Sequence, residues 1–247
     1  MRAVKKGACH MVQWDSVEEL EQYQLHQRND LPKLGTDSKL LAQFATLHRR
    51  EKVLDLGCGV GVLGVLLAQR QRDLTLDGID IVPDSAELAA YNLTANGLTG
   101  TIHQGDLNDY RQWAPRPGGY DLVISNPPYF APNTGKTAEG ARKTARSEEA
   151  CTVEGLCAAA GWLLHTGGRF ALCYRAERLA ALFSALERSG IAPKRLQLVQ
   201  HSPTHPPKIV LVEGVRMGRP GLKVLPTLFV NEFNAQWRKE ITHETAL

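Results

Sequence analysis

Asn126-Pro127-Pro128-Tyr129 closes the apolar run Tyr120-Asp121-Leu122-Val123-Ile124, and Phe130 follows. An amide, two prolines and two aromatics at the mouth of a strand can grip a planar amine. Proline holds the residue before it extended and has no N–H, so the Asn126 side-chain oxygen and the Pro127 carbonyl can be kept as two acceptors converging on one NH2 group. An exocyclic amine is a poor nucleophile because its lone pair is delocalised into the ring. Two acceptors draw its hydrogens toward tetrahedral geometry and release that lone pair. Tyr129 offers a stacking face for an unpaired or flipped base, and Phe130 an apolar wall. Transfer to such a nitrogen needs in-line placement more than acid–base chemistry. The bland alternative is a turn that ends a strand and tucks its aromatics into the core.

A second constellation lies upstream, in Asp55-Leu56-Gly57-Cys58-Gly59-Val60-Gly61. Gly59 to Gly64 satisfies G-x-G-x-x-G, and Asp80 follows about 20 residues on, as a dinucleotide fingerprint asks. In that fold the helix N-terminus faces a pyrophosphate and the second acid takes ribose hydroxyls. Asp55 opposes a dinucleotide, since a carboxylate at the mouth of the first strand repels a pyrophosphate and attracts a cation. S-adenosylmethionine carries an ammonium and a sulfonium where a dinucleotide carries phosphates, and attraction at contact is worth about 1–4 kcal/mol even when well screened. Asp80 with its neighbour Ile81, and Asp106 with Leu107 after the third strand, fall on the same sheet edge. Asp106 is expected to accept the adenine amino group, or else to serve as a turn or cap residue.

The elements that must position these groups alternate. Strands are expected at 51–56, 73–80, 99–103, 120–125 and 169–174, and helices from Val62, from Pro83 to near Asn96-Gly97, at 39–47, 152–164 and 177–188. Two late strands, 195–200 and 209–216, are joined by a proline-rich loop with no room for a helix and read as an antiparallel unit at a sheet edge. The expected fold is an α/β, Rossmann-like, doubly wound seven-stranded sheet, mostly parallel with an antiparallel edge strand. Residues 1–35 read as an N-terminal extension, 36–230 as the domain and 231–247 as a tail. The stretch 131–146 has no apolar period and reads as a long loop.

The 247 residues carry a net charge of +3 and a pI near 8.6, which permits a polyanionic partner without demanding one. Between 188 and 223, Arg188, Lys194, Arg195, Lys208, Arg216, Arg219 and Lys223 face the single acid Glu213. Cys9, Cys58, Cys151, Cys157 and Cys173 include no C-x-x-C pair, so neither a disulfide framework nor a metal site is expected. No apolar run spans a membrane and no secretory h-region opens the chain, so a cytoplasmic protein without membrane contact is expected.

Taken together, D-L-G-C-G-V-G, the second acid and N-P-P-Y resemble the class I adenosylmethionine-dependent methyltransferases that modify exocyclic or amide nitrogen. The chain is most similar to the bacterial tRNA1(Val) adenine-37 N6-methyltransferase family, through Leu34-Gly35-Thr36-Asp37-Ser38-Lys39-Leu40-Leu41, NPPYF, Ala145-Arg146-Ser147-Glu148, Tyr174 to Leu179, Pro193-Lys194-Arg195 and Ile209 to Gly214. The resemblance implies N6-methylation of an adenine in a tRNA anticodon loop by a monomer or weak dimer. It also places Thr36 and Asp37 near the cofactor, although either residue would equally serve as a helix cap. Lys136, Arg142, Lys143, Arg146, Lys194 and Arg195 are expected to touch RNA phosphates. Guanine N2 of ribosomal RNA and protein glutamine N5 are the alternative acceptors. An NAD-dependent oxidoreductase and a non-catalytic RNA-binding protein are the alternatives from other classes.

Overall fold

The computed structural model describes residues 12–127 and 152–243. A central sheet is built from β3 (Lys52–Leu56), β4 (Thr75–Asp80), β5 (Ile102–Gln104), β6 (Tyr120–Ser125), β7 (Leu164–Arg175), β8 (Ile191–Gln200) and β9 (Ile209–Arg216). Two short strands, β10 (Lys223–Val224) and β11 (Leu228–Phe229), both pair with β8, and the spatial order is β10-β8-β9-β7-β6-β3-β4-β5. All pairings are parallel except those of β9, which runs antiparallel to both β7 and β8. The seven expected strands are therefore present, with two more at the margin. The expected antiparallel strand is present too, one position in from where the sequence put it. β8 runs parallel to β7 one strand-width away, and β9 fills the gap and pairs with both.

Parallel strands covered on both faces read as continuous apolar runs. Val53, Leu54 and Leu56 in β3 and Leu122, Val123 and Ile124 in β6 are buried accordingly. On one face lie α1 (Thr36–Phe44), α2 (Val62–Arg70) and α3 (Pro83–Ala95), whose apolar side chains pack with Val53, Leu122 and Ile124. On the other lie the short α4 (Tyr110–Trp113), α5 (Val153–Leu163) and α6 (Leu179–Arg188), packed with Leu54, Val123 and Phe170. The last helix, α7 (Val230–His243), occupies the expected tail and buries Phe233 in the α1 side of the core.

The expected N-terminal extension is also structured from residue 12 onward. β1 (Ser16–Leu20) and β2 (Tyr23–Gln27) form a hairpin whose Leu20 and Leu25 join the core cluster of α2 and α3. Two asparagines one helical turn apart on α3 hold it. The Asn96 amide accepts from Gln24 N (2.7 Å) and donates to Gln24 O (2.7 Å), and the Asn92 amide accepts from His26 N (2.9 Å) and donates to His26 O (2.9 Å). Helix side chains thus satisfy strand backbone groups that would otherwise be lost from water.

One basic residue expected at the surface is spent inside the fold. The Arg195 guanidinium donates to Glu213 Oε1 (2.9 Å), Thr46 Oγ1 (2.7 Å) and the Phe44 carbonyl (3.1 Å), and it lies over the Phe44 ring. Glu213 is buried mid-strand and also accepts from Thr46 N at 2.8 Å. Arg195→Ala leaves that carboxylate buried with fewer donors, and is expected to lower unfolding stability by about 2–3 kcal/mol in urea denaturation.

Candidate active site

The carboxyl ends of β4, β3 and β6 lie side by side, with Leu56 opposite Ile79 and Asp55 opposite both Gly78 and Ile124. From β3 the chain proceeds first to β4 on one side and later to β6 on the other. This is the switch point at which open α/β sheets bind ligands. Ser125 Oγ donates to the Leu56 carbonyl at 2.7 Å and pins the end of β6 against the end of β3. Asn126 is therefore delivered beside the glycine loop.

The loop turns on Gly57, Gly59 and Gly61, with φ of 77°, 53° and 84°. L side chains rarely adopt that backbone, and a Cβ on Gly57 or Gly59 would project into open space, so both glycines present bare backbone to a cradle. On Gly61 it would press against Ala89 of α3 at 3.3 Å. Gly57 N and Cys58 N both donate to the Ile79 carbonyl, at 2.9 and 3.0 Å. The Asp80 carboxylate closes the loop, accepting from Gly59 N (2.8 Å) on one oxygen and from Val82 N (2.9 Å) on the other. Burial pushes the Asp80 pKa up and these two N–H groups pull it back. Beside it Ile81 and Val82 are exposed apolar side chains, a wall suited to an aromatic ring. Asn92 reaches the loop from behind, donating to the Val60 carbonyl at 2.8 Å.

Asp55 departs from the expectation of a charged cation trap. Both of its carboxylate oxygens are buried and neither has a hydrogen-bond partner. Desolvation, reinforced by the Asp80 charge, pushes its pKa up to about 8. Asp55 therefore holds its proton far more tightly than an ordinary carboxyl, and Asp80 is the acid already held by backbone donors. An unsatisfied buried carboxyl is expensive to maintain. Together with the bare loop and the Asp80 clasp, it fits a ligand that brings a cationic donor and ribose hydroxyls.

Asn126 is partly buried, and its amide nitrogen donates to Ser38 Oγ at 3.0 Å. In this orientation the amide oxygen is directed away from Ser38. Ser38 is buried in the first turn of α1, next to Thr36 and Asp37. Neither of these caps the helix. Gly35 does, without a side-chain bond. Asp37 is partly buried, which raises its pKa. Asp106 caps the turn Leu107–Asp109, accepting from Asn108 N at 2.8 Å and Asn108 Nδ2 at 2.9 Å, so its capping role is realised. Pro127 is buried; Pro128, Tyr129, Phe130, Lys136, Arg142, Lys143 and Arg146 lie outside the described residues. Lys194 is tied to the Arg219 carbonyl, and with Arg195 it lies in β8 well back from the carboxyl edge. Among the described residues no cluster of His, Cys, Asp or Glu is arranged to hold a metal, and Cys58, Cys157 and Cys173 are free thiols.

Ser38, Ser125 and Asn92 escaped sequence reasoning. Ser38 alone left a trace, following Thr36-Asp37 at the start of an apolar helix.

Residues 32–181 match the family model described as methyltransferase small domain. A protein named tRNA1(Val) (adenine(37)-N6)-methyltransferase from Dickeya chrysanthemi (strain Ech1591) is 35% identical over 161 residues, which is 64% of this chain and 62% of that one. A protein of the same name from Parabacteroides distasonis is 32% identical over 183 residues, 73% of this chain and 76% of that one. Among solved structures, a predicted O-methyltransferase from Agrobacterium tumefaciens aligns with a TM-score of 0.62 at 22% identity, covering 78% of this chain and 86% of that one. A methyltransferase from Pyrococcus furiosus aligns with a TM-score of 0.56 at 16% identity, covering 80% and 90%. These structural likenesses bear on fold.

Two expectations follow from the geometry. Asp55 has a folded pKa of about 8 against an ordinary 3.8, so the empty protein loses stability as pH rises between those values. Binding of adenosylhomocysteine, whose ammonium favours ionised Asp55, should release close to one proton at pH 7, read by calorimetry in buffers of different ionisation enthalpy. Affinity should rise by up to about tenfold per pH unit until near pH 8, and Asp55→Asn should abolish both effects. Binding without proton release would mean that Asp55 stays neutral. Separately, Ser38→Ala should lower kcat about fivefold with adenosylhomocysteine affinity unchanged, and Ser38→Thr should retain activity.

Proposed function

The chain belongs to the methyltransferase small domain family, and from that premise we propose that it transfers a methyl group from S-adenosylmethionine to N6 of an adenine in RNA, A37 of tRNA1(Val). Membership in that family removes the dinucleotide-dependent oxidoreductase from consideration. The observation that carries transfer to a planar amine is Asn126, held by Ser38 at the end of β6 beside the Asp80-clasped glycine loop, and the names of the relatives favour adenine among such amines. The named relatives act, by their names, on the same adenine.

S-adenosylmethionine supplies an electrophilic methyl on a sulfonium. The chain's own residues do the rest. Gly57 and Gly59 let the backbone approach the cofactor without side chains in the way, Asp80 is oriented by two N–H donors to receive ribose hydroxyls, and Ile81 flanks the adenine. Asp55 sits beneath the loop as the partner for the cofactor's ammonium. At the other side of the crevice the Asn126 oxygen and the Pro127 carbonyl accept the two hydrogens of the target amine and turn its lone pair toward the methyl. Both groups are acceptors and neither is a base, so the proton that N6 gives up leaves to water. By residue type, Tyr129 and Phe130, which follow in sequence, suit a stacking face and an apolar wall for the base.

Incubation with isotopically labelled S-adenosylmethionine and total unmodified tRNA should place the label in N6-methyladenosine, identified by mass spectrometry of the nucleosides. Label in N2-methylguanosine, or in protein glutamine alone, would assign a different acceptor. Asn126→Ala should reduce turnover by about a hundredfold or more while adenosylhomocysteine affinity stays nearly constant. Loss of cofactor binding in that variant would refute the division of labour between the two sides of the crevice.

A further inference from the structure

We propose that the RNA lies on the carboxyl edge of the β7-β9-β8 half of the sheet, held by Arg178 and Lys208 with the 201–207 loop beside them, and away from most of the basic run at 188–223. The inference rests on the RNA reading above and adds to it where the substrate docks.

The strand register decides the matter. Arg175 is opposite Ile209, and Ile209 is opposite Val199, so the ends of β7 and β8 and the start of β9 share one edge with Asn126. The Ala176 N–H donates to the Lys208 carbonyl at 3.1 Å and the Lys208 N–H to the Val199 carbonyl at 3.2 Å, which stitches the three segments together at that edge. Lys208 lies two strands over from Asn126 and three residues further out along the strand direction, about 14 Å away at ordinary strand spacing and rise. Arg195 is opposite Glu213, which on its other side is opposite Ala171, four residues before Arg175; this sets Arg195 and its neighbour Lys223 about 13 Å back from the Arg175 end of the sheet. Arg216 is opposite Ile191, about 23 Å back. Its guanidinium is spent on the Gly161 and Gly190 carbonyls. Most of the +6 asymmetry therefore faces away from the reacting nitrogen.

The carboxyl edge is also electrically divided. On the β4-β5 side stand Asp80, Asp84, Asp106 and Asp109, and the cation there, Arg28, is already engaged by Asp30 and Asp84. Arg111 of α4 lies over the Trp162 ring. That side suits a cationic cofactor and repels a phosphate chain. On the β7-β8 side Arg178 and Lys208 are exposed, and Arg175 pairs with Glu177. Exposed His201 and His205 sit ring to ring at 5.6 Å in the adjoining loop, and Glu232 at the start of α7 is the other acid nearby. Among the described residues, a single-stranded RNA loop that inserts one base at Asn126 thus finds exposed phosphate partners on the β7-β8 side.

Charge reversal tests this. Wild type, Arg178→Glu with Lys208→Glu, and Arg188→Glu with Lys223→Glu are compared for binding to unmodified tRNA between 50 and 200 mM salt, with thermal melting and adenosylhomocysteine affinity as controls of integrity. The first pair should weaken tRNA binding about tenfold or more and flatten the log–log salt dependence by about 2. The second should stay within about twofold of wild type. Corresponding alanine pairs should rank in the same order. Equal losses in both pairs, or a loss confined to the second, overturns the proposed surface while leaving the acceptor reading intact. A wild-type protein that labels polypeptide and no RNA overturns both.

Discussion

Parallel pairing of β3 with β4 on one side and β6 on the other is the constraint from which the site follows. It brings three strand ends to one line, and each contributes a different function: bare backbone from the glycine loop, a clasping carboxylate from Asp80, and the amide of Asn126. None of these groups is near another in sequence. Ser125 Oγ on the Leu56 carbonyl fixes the height of β6 relative to β3, and so the distance between what holds the donor and what holds the acceptor. In-line transfer is sensitive to that distance, because misplacement by about 1 Å can cost a hundredfold in rate.

Asp55 shows how a binding site is maintained at a cost to the fold. Its oxygens are buried without a protein donor, and burial pushes the carboxyl's pKa up to about 8. Asp80, whose pKa burial also raises, has one backbone N–H on each oxygen to offset that burial, and it orders the loop. Two acids at matching positions in the sequence thus have different standing in the folded protein, and the difference is one of hydrogen bonds and not of residue type.

Much of the fold was legible because buried parallel strands and amphipathic helices write their periods plainly: α3 stops at Asn96-Gly97 as expected and α5 falls where the pattern places it, while β7 contains the expected 169–174 but begins five residues earlier, at Leu164. The glycine loop, both acids and Asn126 were legible as a set by their order and spacing. The β1-β2 hairpin was not, because four of the five residues of β1 are exposed and β2 buries His26 and Gln27 along with Leu25, so neither strand shows an apolar alternation. Charge was the least reliable guide. Lys194 and Arg195 look alike in sequence, yet Arg195 is a core ligand of Glu213, and only the strand register separates cations that face the site from those that do not. Ser38 was out of reach because its role is a contact across 88 residues.

Asn92 grips the His26 backbone with both ends of its amide and the Val60 carbonyl through the amide nitrogen, so the hairpin and the glycine loop share a single fastening. Any fluctuation that lifts the hairpin from α3 also unfastens the cradle, and the two segments open as one cooperative unit with a common free energy. Residues far from the chemistry, at the beginning of the chain, therefore set how much of the time the cradle exists in a form that can accept its ligand.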